Sequence, residues 1–211
     1  MRFIDAWSYK CADFLTKQLN ESHQQKRIYY YGFQIMIGGI VKAIIFLVVS
    51  YITGVLIPVI ATLLFFGFIR TVAGGYHMDK FDKCLVTSLI LFIGAGFITK
   101  YAGPQLSTLV LSILTVADFF MALFVLIKYA PSDTPYKPIV NPVKRKRLKI
   151  ISIVNLCIWV VVNFLLIYNE QKMFAMAGIV GVLLALFIVS PAGYAFFDTI
   201  SGKRSVKHQK Q

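Results

Sequence analysis

Long apolar runs separated by short charged segments dominate the chain from Gln34 onward. Runs over residues 34–53, 55–72, 84–101, 106–127, 150–168 and 173–197 come close to the roughly 20 residues that a helix needs to cross a hydrocarbon core about 30 Å thick, and each predicts a membrane-spanning helix. The first boundary is the least marked. Apolar character runs almost unbroken from Ile44 to Ile69, with only Thr53, Gly54 and Pro58 to turn the chain, so four crossings plus a re-entrant pair is the competing arrangement. Ten-residue alternating segments of the membrane β-barrel kind do not occur. The expected fold class is therefore all-α: a polytopic membrane protein of about six transmembrane or re-entrant helices, forming a single domain over residues 1–211. Ahead of the first run, Phe3, Trp7, Cys11, Phe14 and Leu19 recur at helical spacing among Asp5, Lys10, Asp13 and Lys17. This predicts an amphipathic helix within residues 1–30, either lying in the membrane interface or packed on the rest of the protein. The same charges exclude the apolar core of a cleaved signal peptide.

Composition changes the picture in one respect. With 58% hydrophobic and 15% charged residues and a mean hydropathy of +0.72, the solvent for much of this chain is the lipid bilayer. A net charge of +13 would otherwise suggest nucleic acid. The basic residues instead occupy short segments between apolar runs, so no nucleic-acid partner is expected. Arg2, Lys10, Lys17, Lys26 and Arg27 precede the first run, while Arg70, Lys80 and Lys83 flank the junction of the second and third. Seven more lie from Lys128 to Lys149, and Lys203, Arg204, Lys207 and Lys210 form the tail. Basic loops stay in the cytoplasm, so both termini and the two longer loops are expected on that side of the membrane. Lys42, inside the first run, either snorkels or faces a polar interior, because a cation at mid-bilayer costs about 2.5 kcal/mol or more. Three cysteines leave at least one free thiol and argue against a disulfide framework. Cys11 and Cys157 have no adjacent histidine and read as packing residues.

The candidate chemistry lies in residues 70–84, R-T-V-A-G-G-Y-H-M-D-K-F-D-K-C. Cys84 and His77 form the smallest unit for nucleophilic acyl transfer: imidazole takes the thiol proton and thiolate attacks a carbonyl. A structural zinc site needs four N or S donors where these two residues supply only two, so no metal and no cofactor is expected. His23 and His208 lie in polar terminal segments. Seven residues of straight helix rise about 10.5 Å, too far for a working thiol and imidazole. The segment from Tyr76 to Lys83 must therefore bend, with His77 before the loop and Cys84 at or near the N-terminus of the third span, where the helix dipole favours thiolate. Asp79, Asp82 and Asp133 are candidates for a third member by residue type alone. Residues 130–149 form a Pro-rich and basic cytoplasmic segment. Pro131, Pro135, Pro138 and Pro142 bracket Asp133 and Lys137 in either a shaped binding or support loop or a simple connector.

Arg70, Gly74, Gly75, His77 and Cys84 reproduce the pattern R-x-x-x-G-G-x-H-x-x-x-x-x-x-C of the accessory gene regulator B (AgrB) family, and Pro131 to Ile139, P-S-D-T-P-Y-K-P-I, is similar to that family's second signature. The resemblance runs through nearly the whole chain in length, hydropathy and order. It implies an integral-membrane cysteine endopeptidase that removes the C-terminal tail of an AgrD-like precursor peptide during quorum-sensing signal synthesis and promotes cyclisation to a thiolactone or lactone. Cys84 would be the nucleophile and His77 the base. Arg70 would bind a substrate carboxylate, hold the loop by hydrogen bonds or simply anchor the segment, and Gly74 and Gly75 would permit a turn close to the peptide. Asp133 and Lys137 are further candidates for support or substrate binding, and a homodimer is compatible with the sequence. Two rival classes remain: a small peptide transporter, suggested by Lys42, Asp118 and Asp198 within or beside the spans, and a non-catalytic membrane scaffold.

Overall fold

The chain turns back repeatedly through one left-handed device at its helix ends. In the computed structural model, which describes residues 2–76, 78, 81–132 and 141–202, the first helix, α1, covers Arg2–Leu19 and stops at Asn20, whose φ is 53°. The N–H of Glu21 donates to the Thr16 carbonyl and that of Asn20 to the Lys17 carbonyl, which closes the last turn. Helix α2, His23–Ile52, ends in the same way at Gly54, with φ of 69° and Val55 N–H on the Ser50 carbonyl. Three residues, Thr53, Gly54 and Val55, thus suffice to separate α2 from α3, Leu56–Ala73. The weakest predicted boundary is a real break. Helices α4, Phe81–Gln105, α5, Thr108–Tyr129, α6, Pro142–Tyr168, and α7, Lys172–Val189, complete a set of six, α2 to α7, each long and apolar enough to cross a membrane. A short α8, Pro191–Ser201, follows.

Three expected bounds change, each for a local reason. Residues 23–30 belong to α2 rather than to the N-terminal helix, because the left-handed turn at Asn20 ends α1 first. The run 173–197 divides at Ser190, an extended residue before Pro191 whose hydroxyl accepts from the Gly193 N–H and starts α8. The basic stretch from Lys144 to Lys149 is helical rather than loop. Asn141 caps α6 by accepting from the N–H groups of Val143 and Lys144, and Pro142 occupies the first turn, where its missing N–H costs nothing.

α7 is apolar on every side and packs against α3, α4, α5 and α6. Its small residues allow this, because helices in lipid gain most from close backbone approach. A Cβ added at Gly181 would stand 2.8 Å from the Thr62 carbonyl oxygen of α3. One core cluster gathers Ile69, Leu111, Leu126, Leu156, Trp159 and Val182 around this helix. A second joins α2, α3 and α4 through Phe46, Val55, Val59, Leu85 and Phe92, with Phe92 edge-on to Phe66 at 4.9 Å. Large apolar side chains such as Leu64, Ile90, Leu109 and Phe120 point outward, as lipid requires.

α1 packs on the start of α2, the second of the two expected arrangements, and leaves an apolar face exposed. Ile4, Ser8 and Ala12, four residues apart, are buried, whereas Phe3, Trp7, Phe14 and Leu19 are exposed. Gln34 donates to Asp5 at 2.7 Å, and Lys26 to Asp13 at 2.5 Å, which fixes the pair of helices. Cys11 is half-buried on α1, but Cys157 is exposed on α6 rather than packed, because the buried face of that helix runs through Ser152, Leu156, Trp159 and Asn163.

Candidate active site

The segment after α3 leaves the helix at once. Gly74 has φ of 74° and ψ of −144°, a conformation essentially confined to glycine, and it forms an isolated parallel bridge with Ser132. Ser132 N–H donates to the Ala73 carbonyl at 2.9 Å and Gly75 N–H donates back to the Ser132 carbonyl at 3.3 Å. A Cβ at Gly74 would collide with the Ser132 carbonyl oxygen, and one at Gly75, where φ is 129°, would come within 2.8 Å of Ile188. Both glycines are therefore needed for two distant parts of the chain to meet. The partners are the two signature segments themselves, the first at Gly74 and Gly75, the second at its opening residues Pro131 and Ser132.

Tyr76 is held next. Its N–H reaches the Ile188 carbonyl at 3.2 Å, its ring stacks on Phe197 at 5.3 Å and stands edge-on to Tyr194 at 5.3 Å, and its hydroxyl donates to Asp198 at 2.9 Å. Arg70, near the end of α3, donates from Nη2 to the Tyr76 carbonyl at 2.8 Å and lies over the Phe66 ring. Of the roles open to Arg70, holding the loop is the one the geometry displays. Its Nη1 is buried and has no hydrogen-bond partner among the described residues, and Cys84 and Tyr194 lie within electrostatic reach of the guanidinium.

α4 then starts at Phe81, and the described residues Tyr76 and Met78 lie outside any helix, so no continuous helix joins the position of His77 to Cys84, in line with their spacing. Lys83 donates to the Ile200 carbonyl at 2.8 Å. α8 thus grips the segment at both ends, through Asp198 to Tyr76 before it and through Ile200 to Lys83 after it. Cys84 is half-buried on the first turn of α4, close to the amides that carry the positive end of the helix dipole. Its sulfur lies 3.3 Å from Lys42 Nζ of α2 and 4.0 Å from Ser88 Oγ, one turn along α4. Asp82 is exposed on the same first turn. His77, Asp79, Asp133 and Lys137 lie outside the described residues.

Several members of this arrangement lie outside the first signature segment. Ser88 could have been found, since i+4 from Cys84 on a helix is the same face. Lys42 was visible as a cation inside an apolar run, but its partner was not. Asp198 was visible only as a charge beside the last run, and nothing local marked the partners of Tyr76, Ser132 or Asp198, because each acts across the tertiary structure.

Residues 8–189 match the family model described as accessory gene regulator B. The chain belongs to the accessory gene regulator B family. It is 32% identical over 181 residues to the accessory gene regulator protein B of Staphylococcus aureus strain Newman, covering 85% of this chain and 91% of that protein. It is 26% identical over 171 residues to putative AgrB-like protein 2 of Clostridium perfringens strain 13, with 79% and 80% covered, and 31% identical over 144 residues to a putative AgrB-like protein of Clostridium acetobutylicum, with 66% of each covered. No solved structure matches it. In this AgrB-family protein the matched region contains both signature segments and ends with α7 at Val189; α8, which grips the candidate site, follows it.

Proposed function

We propose that this AgrB-family protein is a cysteine endopeptidase of the bacterial cytoplasmic membrane that removes the C-terminal tail of a precursor signal peptide and closes the remainder to a thiolactone or lactone. The observation that carries the reading is the setting of Cys84: a free, half-buried thiol on the first turn of a membrane-length helix, beside a lysine and next to Lys83, which α8 holds through Ile200 as it holds Tyr76 through Asp198. His77 takes the thiol proton. The sulfur attacks the scissile carbonyl, the C–N bond breaks, and the leaving amine receives that proton from His77. The peptide remains as a thioester on Cys84, which keeps enough activation for an internal cysteine or serine of the peptide to attack its carbonyl, give its proton to His77 and expel Cys84 as the thiolate. A partly enclosed site favours this over hydrolysis by limiting water and holding the peptide's own nucleophile close. Asp133 and Lys137 belong to the segment that opens at Ser132 and are assigned to peptide binding.

The transport reading drew on three charges in or near the spans. Lys42 engages Cys84 and Ser88, and Asp198 accepts from Tyr76, so two of them serve the candidate site. Only Asp118, buried in α5 with neither oxygen bonded among the described residues, is left to support it.

Co-expression with small open reading frames from the same locus, followed by mass spectrometry, tests the activity. The parent releases a tailless peptide and Cys84→Ala does not; a hydroxylamine-sensitive adduct with the mass of the tailless precursor accumulates when the peptide's internal nucleophile is removed. Processing by purified Cys84→Ala at the parent rate refutes the reading. In intact cells lacking Cys11 and Cys157, ready modification of Cys84 by an impermeant external reagent refutes the cytoplasmic placement of the site and termini.

A further inference from the structure

The contact between Lys42 and Cys84 joins two residues of opposite chemical bias in a place where neither is easily explained by packing. Lys42 stands eight positions past Gln34, or about 12 Å of helical rise, and the residues between are I-M-I-G-G-I-V. A cation at such a depth in a spanning helix is costly unless something answers its charge. Among the described residues no carboxylate lies within ion-pair distance of it. What surrounds the ammonium is Cys84 Sγ at 3.3 Å, Ser88 Oγ at 3.1 Å and the face of Phe46, 5.9 Å away.

The directions of the hydrogen bonds narrow the meaning of this cluster. Ser88 Oγ lies 2.6 Å from the Cys84 carbonyl, which can only accept, so the serine proton is committed to that bond. Ser88 therefore meets Lys42 as an acceptor and offers no proton to the sulfur. The ammonium, which has donors only, directs one N–H to Ser88 and another to Cys84. A thiol is a weak acceptor, whereas a thiolate supplies a full negative charge at the one position where Lys42 lacks an anion.

We propose that Lys42 is the counter-ion of the Cys84 thiolate, with Ser88 fixing the ammonium against the sulfur. The proposal rests on the peptidase reading for its catalytic meaning and divides the labour of that mechanism. Lys42 pairs with the sulfur anion before attack and again when the thioester opens and the sulfur leaves as thiolate. Proton transfer stays with His77, which takes the thiol proton and returns it to the departing amine; Lys42 neither gains nor loses a proton in the cycle. Among the described residues, Arg70 from α3 lies within electrostatic reach of the sulfur; Tyr194 from α8 interacts in turn with Arg70, and Asp198 of the same helix accepts from Tyr76. Asp82 and Lys83 lie on Cys84's own helix, and Lys83 points to Ile200. α7, also packed on α4, carries its sole charge, Lys172, at the opposite end beside Glu170.

Alkylation of Cys84 by iodoacetamide, followed by mass spectrometry across about pH 5 to 10, measures the thiolate directly. The full-length protein in detergent, with Cys11 and Cys157 replaced by serine, is compared with its Lys42→Met, Lys42→Arg and Ser88→Ala variants. Lys42→Met should move the rise in rate to higher pH and slow alkylation at neutral pH by about tenfold or more, since only the thiolate reacts. Lys42→Arg should keep most of the parent rate, and Ser88→Ala should give a smaller shift in the same direction. Superimposable profiles for parent and Lys42→Met overturn the proposal. Should Lys42→Met fail to fold, the ultraviolet absorbance difference between the parent and its Cys84→Ser variant decides: a thiolate band present at neutral pH supports the pairing, and one that appears only above about pH 8.5, the ordinary thiol range, overturns it. Because these readouts follow the sulfur and not the peptide, failure of the peptidase reading is seen separately, as processing by Cys84→Ala.

Discussion

Replacing Gly74 by alanine should uncouple the two signature segments while leaving the helices in place. The backbone at Gly74, with φ of 74° and ψ of −144°, lies where a residue with a Cβ is strained by roughly 1–3 kcal/mol. The new methyl also meets the Ser132 carbonyl oxygen, which must move away and release the 3.3 Å bond from Gly75 N–H, a further loss of about 0.5–1.5 kcal/mol. The expected total is about 1.5–4.5 kcal/mol, concentrated at the Gly74–Ser132 bridge. Gly67→Ala, on α3, provides the control. A Cβ there meets nothing within 4 Å, and its φ is not among the positive ones, so alanine should leave the fold unharmed or stabilise it by up to about 1 kcal/mol. Reversible unfolding of the purified protein in mixed detergent, together with precursor processing, measures both variants. Gly74→Ala should lose stability by the stated amount and process poorly, while Gly67→Ala keeps both. Parent-like stability and turnover in Gly74→Ala would show that the bridge does not organise the site.

Two further expectations concern the N-terminal helix and the start of α6. Hydrogen bonds from Lys17 and then Lys26 hold the Asp13 carboxyl at about 2, below its ordinary 3.8. A depressed folded value means that its contribution to docking α1 on α2 is complete above pH 3.8 and is lost as the pH falls toward 2. Spin labels on the two helices should separate over that window, and Asp13→Asn should remove the transition; an unchanged transition in that variant rules Asp13 out as its source. Lys144, Arg145, Lys146 and Arg147 are exposed on the first two turns of α6, and replacing all four by glutamine should raise the apparent KM for a precursor with an acidic tail and weaken its salt dependence. An unchanged KM at low salt would leave these residues only a role in topology.

What the sequence determined by itself was the part of the structure set by neighbours along the chain. Membrane-length helices follow from the length of each apolar run, and the break between His77 and Cys84 follows from helical rise. Cys84 lies on the first turn of α4 because the polar segment ends there. Bounds shifted where a local cap overrode hydropathy, as at Asn20, Asn141 and Ser190, because a few directed hydrogen bonds at a helix end outweigh a gradual change in apolar character. Only the tertiary structure decided the company that Cys84 keeps. Lys42 is 42 residues away, and Tyr76 and Asp198 are 122 apart. Ser132 reaches Gly74 from the far end of α5. No periodicity records such pairs, since they exist only after α7 has drawn α3, α4 and α5 together and α8 has folded back across the segment between α3 and α4.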